Sequence, residues 1–260
     1  MPAPGGPAAY ARSVLRIIDA RTGEPVAAAP VRRGLTRIEA HARGSGPTAL
    51  RVLLFADLLV RALEMGGTPV WAQLTGERDQ TELRAAAAAL GVRPFEDGHD
   101  LAAGLGEAQV IHVASGAGAA DTPGRTPEGV LVAVAPVDAT PAGVPAGTDP
   151  GALRLALLSG RRTRPLRLDA AALEEAGDTL ARWRGAVATW AHRPSRPVPE
   201  EVRAMLRQAW EDDLGVAGVL DVLRRVEEWP DLPDGARFET YAYADRLLGL
   251  ELTRDIGAAS

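Results

Sequence analysis

Over roughly its first 140 residues the chain alternates short apolar runs with helical periodicity, and after that it shows helical periodicity alone. This change of character limits the available folds. Strands separated by helices must return to a sheet in parallel, and such a sheet needs helices packed on it. Strand patterns cover residues 13–19 (around Val14, Ile17 and Ile18), 35–41, 69–74, 110–114 and 130–134. One helix opens after Gly44-Ser45-Gly46-Pro47-Thr48, carries Leu50, Leu53, Leu54, Leu58 and Ala62, and stops at Gly66-Gly67. An alanine-rich helix over 81–90 is stopped by Gly91. The later patterns, 151–159, 169–190, 199–212, 216–229 and 236–250, are helical and separated by Gly160, Pro194, Pro197, Gly215, Pro230, Pro233 and Gly235.

The fold expected is α/β, a doubly wound, Rossmann-like parallel sheet followed by an all-helical C-terminal domain. Residues 1–12, rich in Pro, Gly and Ala, read as a flexible arm, 13–148 as the α/β core and 149–260 as the helical domain. The Pro/Gly/Thr-rich stretch 139–149 reads as a loop between them.

Composition removes several kinds of chemistry. With 46% hydrophobic and 24% charged residues the chain can bury a core. It has no apolar run long enough to span a bilayer and no leader pattern at its start, so a cytoplasmic protein without a membrane partner is expected. There is no cysteine, hence no disulfide, thiolate nucleophile or thiolate-bound metal. All 29 basic residues are arginine, so no lysine can form a Schiff base or reach a phosphate. A net charge of -5 gives nucleic acid no global attraction.

The helical half carries a family resemblance. Asp149-Pro150-Gly151-Ala152-Leu153-Arg154 through Gly160, then Arg164-Pro165-Leu166, Leu173-Glu174-Glu175-Ala176, Leu180-Ala181-Arg182-Trp183, Trp210-Glu211-Asp212-Asp213-Leu214 and Leu247 to Leu252 follow one another in order. This series resembles the region after the signature loop of the class I cysteinyl-tRNA synthetases and their relative in mycothiol biosynthesis, the cysteine:glucosaminyl-inositol ligase. The N-terminal half is similar to the same group at Leu15-Arg16-Ile17-Ile18-Asp19, from Asp57 to Val70, at Trp71-Ala72-Gln73 and at Ile111-His112. The resemblance implies a reduced version of the class I synthetase fold and an ATP-dependent amino-acid ligase ancestry.

The same resemblance exposes losses. The HIGH signature falls on Gly46-Pro47-Thr48-Ala49, without histidine, and His41 lies five residues too early. The KMSKS signature should lie just before Asp149, yet no basic residue occurs between Arg125 and Arg154. Adenylation depends on cations placed at the phosphates, and here neither signature supplies one. The zinc that the resemblance implies, held by Cys and His/Glu ligands, is not expected, because cysteine is absent and His41, His99, His112 and His192 are scattered. The acidic cluster after Gln73 is reduced to Glu77 and Asp79.

Several residues remain as ligand or nucleotide candidates. The N–H groups at the helix start, with Gly44, Ser45, Gly46 and Thr48, can meet an anion, or Ser45 and Thr48 can simply cap the helix. Gln73 is a candidate through the resemblance, while His112, Ser115 and Gly116 belong near the carboxyl end of a strand, where open α/β sheets bind ligands, or else form a tight turn with a buried, satisfied histidine. Arg161, Arg162 and Arg164 could contact an acceptor substrate, RNA or a partner, or form a solvated helix end. Glu211, Asp212 and Asp213 read as a helix terminus before a metal site, and Trp183, Trp190, Trp210 and Trp229 as packing for the helical half.

The expected function is a catalytically degenerate cysteine-ligase-like protein, with no catalytic residue assigned, that binds a ligand or regulates a partner. No cofactor is required by this reading, and residual ATP or aminoacyl-adenylate binding stays open. Another synthetase-like protein, a second copy of the chain or RNA are the partners considered. The alternatives are an amino-acid-activating ligase with altered substrate, and a structural subunit of a synthetase-like complex.

Overall fold

A computed structural model describes residues 14–30, 34–76, 80–97, 107–116, 128–139, 144–145 and 147–258. In chain order the elements are β1 (Arg16–Ile18), β2 (Pro25–Ala27), β3 (Leu35–His41), α1 (Pro47–Met65), β4 (Val70–Thr75), α2 (Thr81–Ala89), β5 (Glu96–Asp97), β6 (Glu107–Ser115), β7 (Val130–Val134) and β8 (Val137–Ala139). There follow α3 (Pro150–Leu158), β9 (Leu166–Leu168), α4 (Ala170–Trp190), α5 (Glu200–Glu211), α6 (Val216–Glu228) and α7 (Asp234–Leu248). The arm proposed for residues 1–12 lies outside the described residues.

The central sheet is five-stranded and parallel, in the order β5-β4-β3-β6-β7. In β3 the side chains alternate as the pleat requires. Thr36, Ile38 and Ala40 are buried on one face, while Arg37, Glu39 and His41 stand on the other. Helix α1 starts with Pro47 at its first turn, where a missing N–H costs nothing. It is buried along nearly its whole length and packs on β3, β4, β6 and β7 as well as on α2, α3 and α7.

Two expectations need correction. The strand around Ile17 does not join the central sheet; β1 pairs antiparallel with β2 across the turn at Gly23. The stretch after 149 is not purely helical either, since Leu166–Leu168 pairs in parallel with Val137–Ala139. Ala139, the first residue of the expected loop, thereby becomes strand. Both strands are three residues long, too short to show a period.

One apolar cluster runs from Leu15 and Ile38 through α1 to Trp183, Leu223 and Leu252, so sheet and helices share a core. Within the helices Trp183, Trp190 and Trp210 are buried, and Trp183 and Trp190 meet Tyr241 edge-on at centroid distances of 5.8 and 5.1 Å. Polar anchors stitch the same region. Trp183 Nε1 donates to Glu227 Oε2 and Tyr241 Oη to the Leu223 carbonyl. Asp149 and Asp169 cap α3 and α4 by accepting from Gly151 N and Ala172 N.

Two buried arginines tie the parts together. Arg154 on α3 meets Asp57 of α1 at 3.1 Å and donates to the carbonyls of Leu90 and Leu248. Arg51 on α1 spends all five N–H groups on the carbonyls of Ala135, Leu157, Gly160, Arg161 and Arg164.

Candidate functional site

Strand β3 sits in the middle of the sheet. The chain leaves it for β4 and β5 on one side, then returns to place β6 and β7 on the other. The reversal puts the topological switch point between β3 and β6, and the carboxyl ends of those strands are where such sheets receive ligands. His41 ends β3 and faces Ala114, while Ser115 ends β6 beside Val134 of β7. Gly116 then turns the chain at φ 60°, donating its N–H to the Val134 carbonyl.

The start of α1 opens a cleft of about 340 Å³ lined by Ala42, Gly44, Ser45, Gln80, Thr81, Glu82 and Leu83. Gly46 is the N-cap residue and offers no side chain. Gly44 is left-handed at φ 71°, with open space around it. Ser45 Oγ donates to Glu82 Oε2 at 3.3 Å, so a carboxylate already stands at this mouth. Thr48 does not cap the helix. Its Oγ1 accepts from Val137 N at 3.0 Å, which fastens α1 to β8.

The basic cluster divides. Arg161 and Arg164 are exposed, but Arg162 is buried, donating to the Ala133 carbonyl and to Asp213. Backbone carbonyls of the same loop close around Arg51. This loop is therefore built inward, and the solvated helix end expected for Arg162 is corrected. Asp213 also accepts from Ile18 N at 2.9 Å, which commits it to holding β1.

On the face of the sheet that carries Glu39, parallel pairing sets Gln73, Glu39, His112 and Leu131 in one cross-strand row. Gln73 and His112, both candidates from the sequence, are buried on either side of Glu39. His41, one pleat further on, turns to the same spot. His112 Nδ1 lies 3.0 Å from His41 Nε2 and 3.1 Å from Glu39 Oε2, and His41 Nε2 lies 3.6 Å from that oxygen. These three residues are the one group of three potential metal ligands among the described residues. The histidines thought scattered are thus partly gathered, His41 with His112, while His192 lies elsewhere in the chain after α4 and His99, like Glu77 and Asp79, falls outside the described residues.

Two of the three are held from behind. His112 Nε2 is 2.9 Å from the Glu128 carbonyl, which can only accept, so the proton on Nε2 points there and Nδ1 points at the cluster. Arg37 pairs with Glu39 Oε1 at 3.0 Å and leaves Oε2 to the histidines. The hydrogen bond from His112 holds the Glu39 carboxyl below its ordinary range, against the opposing effect of burial. Burial first, then the neighbouring His112, pushes the His41 imidazole down. Sequence reasoning missed Glu39 altogether. The signal available was the alternation Arg37, Glu39, His41, which puts three polar groups on one face of a strand destined for the sheet centre.

Comparison with characterised proteins gives partial matches. The chain is 41% identical over 86 residues to a protein of Frankia alni, a stretch that is 33% of this chain and 19% of the other. It is 36% identical over 111 residues, 41% of this chain and 26% of the other, to a protein of Acidothermus cellulolyticus. To a protein of Parafrankia it is 45% identical over 74 residues, 28% and 16% of the two chains. All three are cysteine ligases. Each is named L-cysteine:1D-myo-inositol 2-amino-2-deoxy-alpha-D-glucopyranoside ligase. The matched stretch spans about a quarter or less of those relatives' length. No protein-family model matches the chain. The thiolate-bearing zinc site implied by the synthetase resemblance does not fit a chain without cysteine, and the donor set on β3 and β6 is two nitrogens and a carboxylate oxygen.

Proposed function

We propose that this chain is a cysteine-ligase-like protein that has given up amino-acid adenylation and works by binding, as a regulatory or partner-binding relative of the ligases. The observation that carries this reading is the start of α1, where the resemblance places the first synthetase signature. An adenylating enzyme needs cations and donors aimed at ATP phosphates there. Instead the cleft is lined by glycine, serine and the Glu82 carboxylate, with no arginine among its described lining residues. The free N–H groups of the helix start attract anions, but a carboxylate at hydrogen-bond distance from Ser45 opposes a second one. Thr48 Oγ1 accepts from Val137 N, which ties this side chain to β8, in the segment where the second signature would approach.

A parallel sheet with its switch point and the helices of the resembling half are present, which is what a binding role needs. A calorimetric titration of the full chain with ATP and magnesium tests the reading. No heat of binding up to millimolar nucleotide is expected. Micromolar binding of ATP would overturn the claim that its phosphate site is lost.

A further inference from the structure

We propose that Glu39, His41 and His112 form a thiolate-free binding site for one divalent transition-metal ion of the zinc class. The three ligand atoms form a triangle with edges of 3.0, 3.1 and 3.6 Å. Tetrahedral zinc with bonds of about 2.0–2.1 Å spaces its ligands about 3.3–3.4 Å apart, so the triangle matches one face of that tetrahedron to within a few tenths of an ångström.

Electrostatics point the same way. With the Nε2 proton of His112 committed to the Glu128 carbonyl, Nδ1 can donate to Glu39 only when the ring is an imidazolium, and a neutral His112 turns the lone pair of Nδ1 toward the Glu39 carboxylate. Two acceptors at 3.1 Å repel unless a proton or a metal cation lies between them. His41 Nε2 can give its proton to Nδ1, but Glu39 Oε2 then still faces that ring without a donor from it. A metal ion satisfies all three at once.

The supporting groups are those of a ligand site. A histidine whose second nitrogen donates to a carbonyl has its tautomer and ring angle set for coordination. Arg37 on Oε1 orients the carboxylate to offer Oε2. Two imidazoles and a carboxylate suit zinc, cobalt or iron better than magnesium or calcium. Three protein ligands leave a fourth position for water or a bound molecule, at the switch point of the sheet.

The test uses the full chain, dialysed against chelator and titrated with Co²⁺ and then with Zn²⁺. The expected result is one equivalent of Co²⁺ giving visible d–d bands of a four- or five-coordinate N/O site, displaced by Zn²⁺. H41A and E39Q should each weaken binding by more than about 100-fold, beyond the 10–100-fold typical of an outer-shell loss. H192A, which alters the exposed His192, should leave it unchanged. His41 is at the strand end and only half-buried, so H41A should fold, and circular dichroism of each variant checks this. Failure of the wild type to bind either ion, or binding equal in folded H41A and E39Q, would overturn the proposal.

Discussion

At the scale of single residues, Arg51 occupies a position that lysine could not fill. Its planar guanidinium meets five carbonyls with five N–H groups, which an ammonium with three donors cannot do. Burial first, and then Arg162, lowers its pKa to about 10, so it stays cationic at neutral pH. R51M should cost at least about 3 kcal/mol, and R51K should recover little of it, as chemical denaturation can measure. Asp57 is the complementary case, a fully buried carboxylate among Arg61, Arg93 and Arg154. Burial alone would raise its pKa, yet Arg154 and Arg61 hold it below 3.8. A carboxyl with a depressed folded value adds stability above its unfolded pKa and loses it as the pH falls through the folded one. D57N should therefore cost about 3–5 kcal/mol near neutrality. The gap to wild type should narrow below pH 3.8 in thermal melts of both proteins; a gap independent of pH would contradict this assignment.

At the scale of elements, long periodic segments were legible and short or partner-dependent ones were not. Strands β3 and β7, helix α1 and the five later helices follow from apolar spacing and capping residues. Strands β5, β8 and β9, of two or three residues, carry no period, and β1 could be read as a strand but not assigned a partner. The site was half legible for the same reason. His112 could be placed at the carboxyl edge and Gln73 came through the resemblance, whereas the meeting of His41 with His112 depends on register across 71 residues of chain. Packing of α3 on α4 supplies a test at this scale. A Cβ at Gly151 would lie 2.8 Å from Leu180 Cδ2 and 2.9 Å from Arg184 Nη2, while one at Gly185 meets nothing within 4 Å. Gly151→Ala should destabilise by about 1–3 kcal/mol. Gly185→Ala, in the exposed middle of α4, should stabilise by about 0.5–1 kcal/mol. Equal effects in urea unfolding would refute the difference in packing.

At the scale of the whole molecule, the apolar cluster and the Arg51 and Arg154 anchors cross from the sheet into the helices. Calorimetry should accordingly show one unfolding transition that D57N shifts as a whole; two separate transitions would contradict a shared core. That continuity also frames the functional account. The proposed loss of phosphate handling is compatible with that continuity, since neither Ser45 nor Glu82 belongs to the core. The measurement that tests this most directly is amino-acid-dependent exchange of pyrophosphate into ATP by the purified chain, with cysteine and each other amino acid, with and without added zinc. The account predicts no exchange above the protein-free control under any of these conditions. Exchange with any one amino acid at catalytic rates would contradict it.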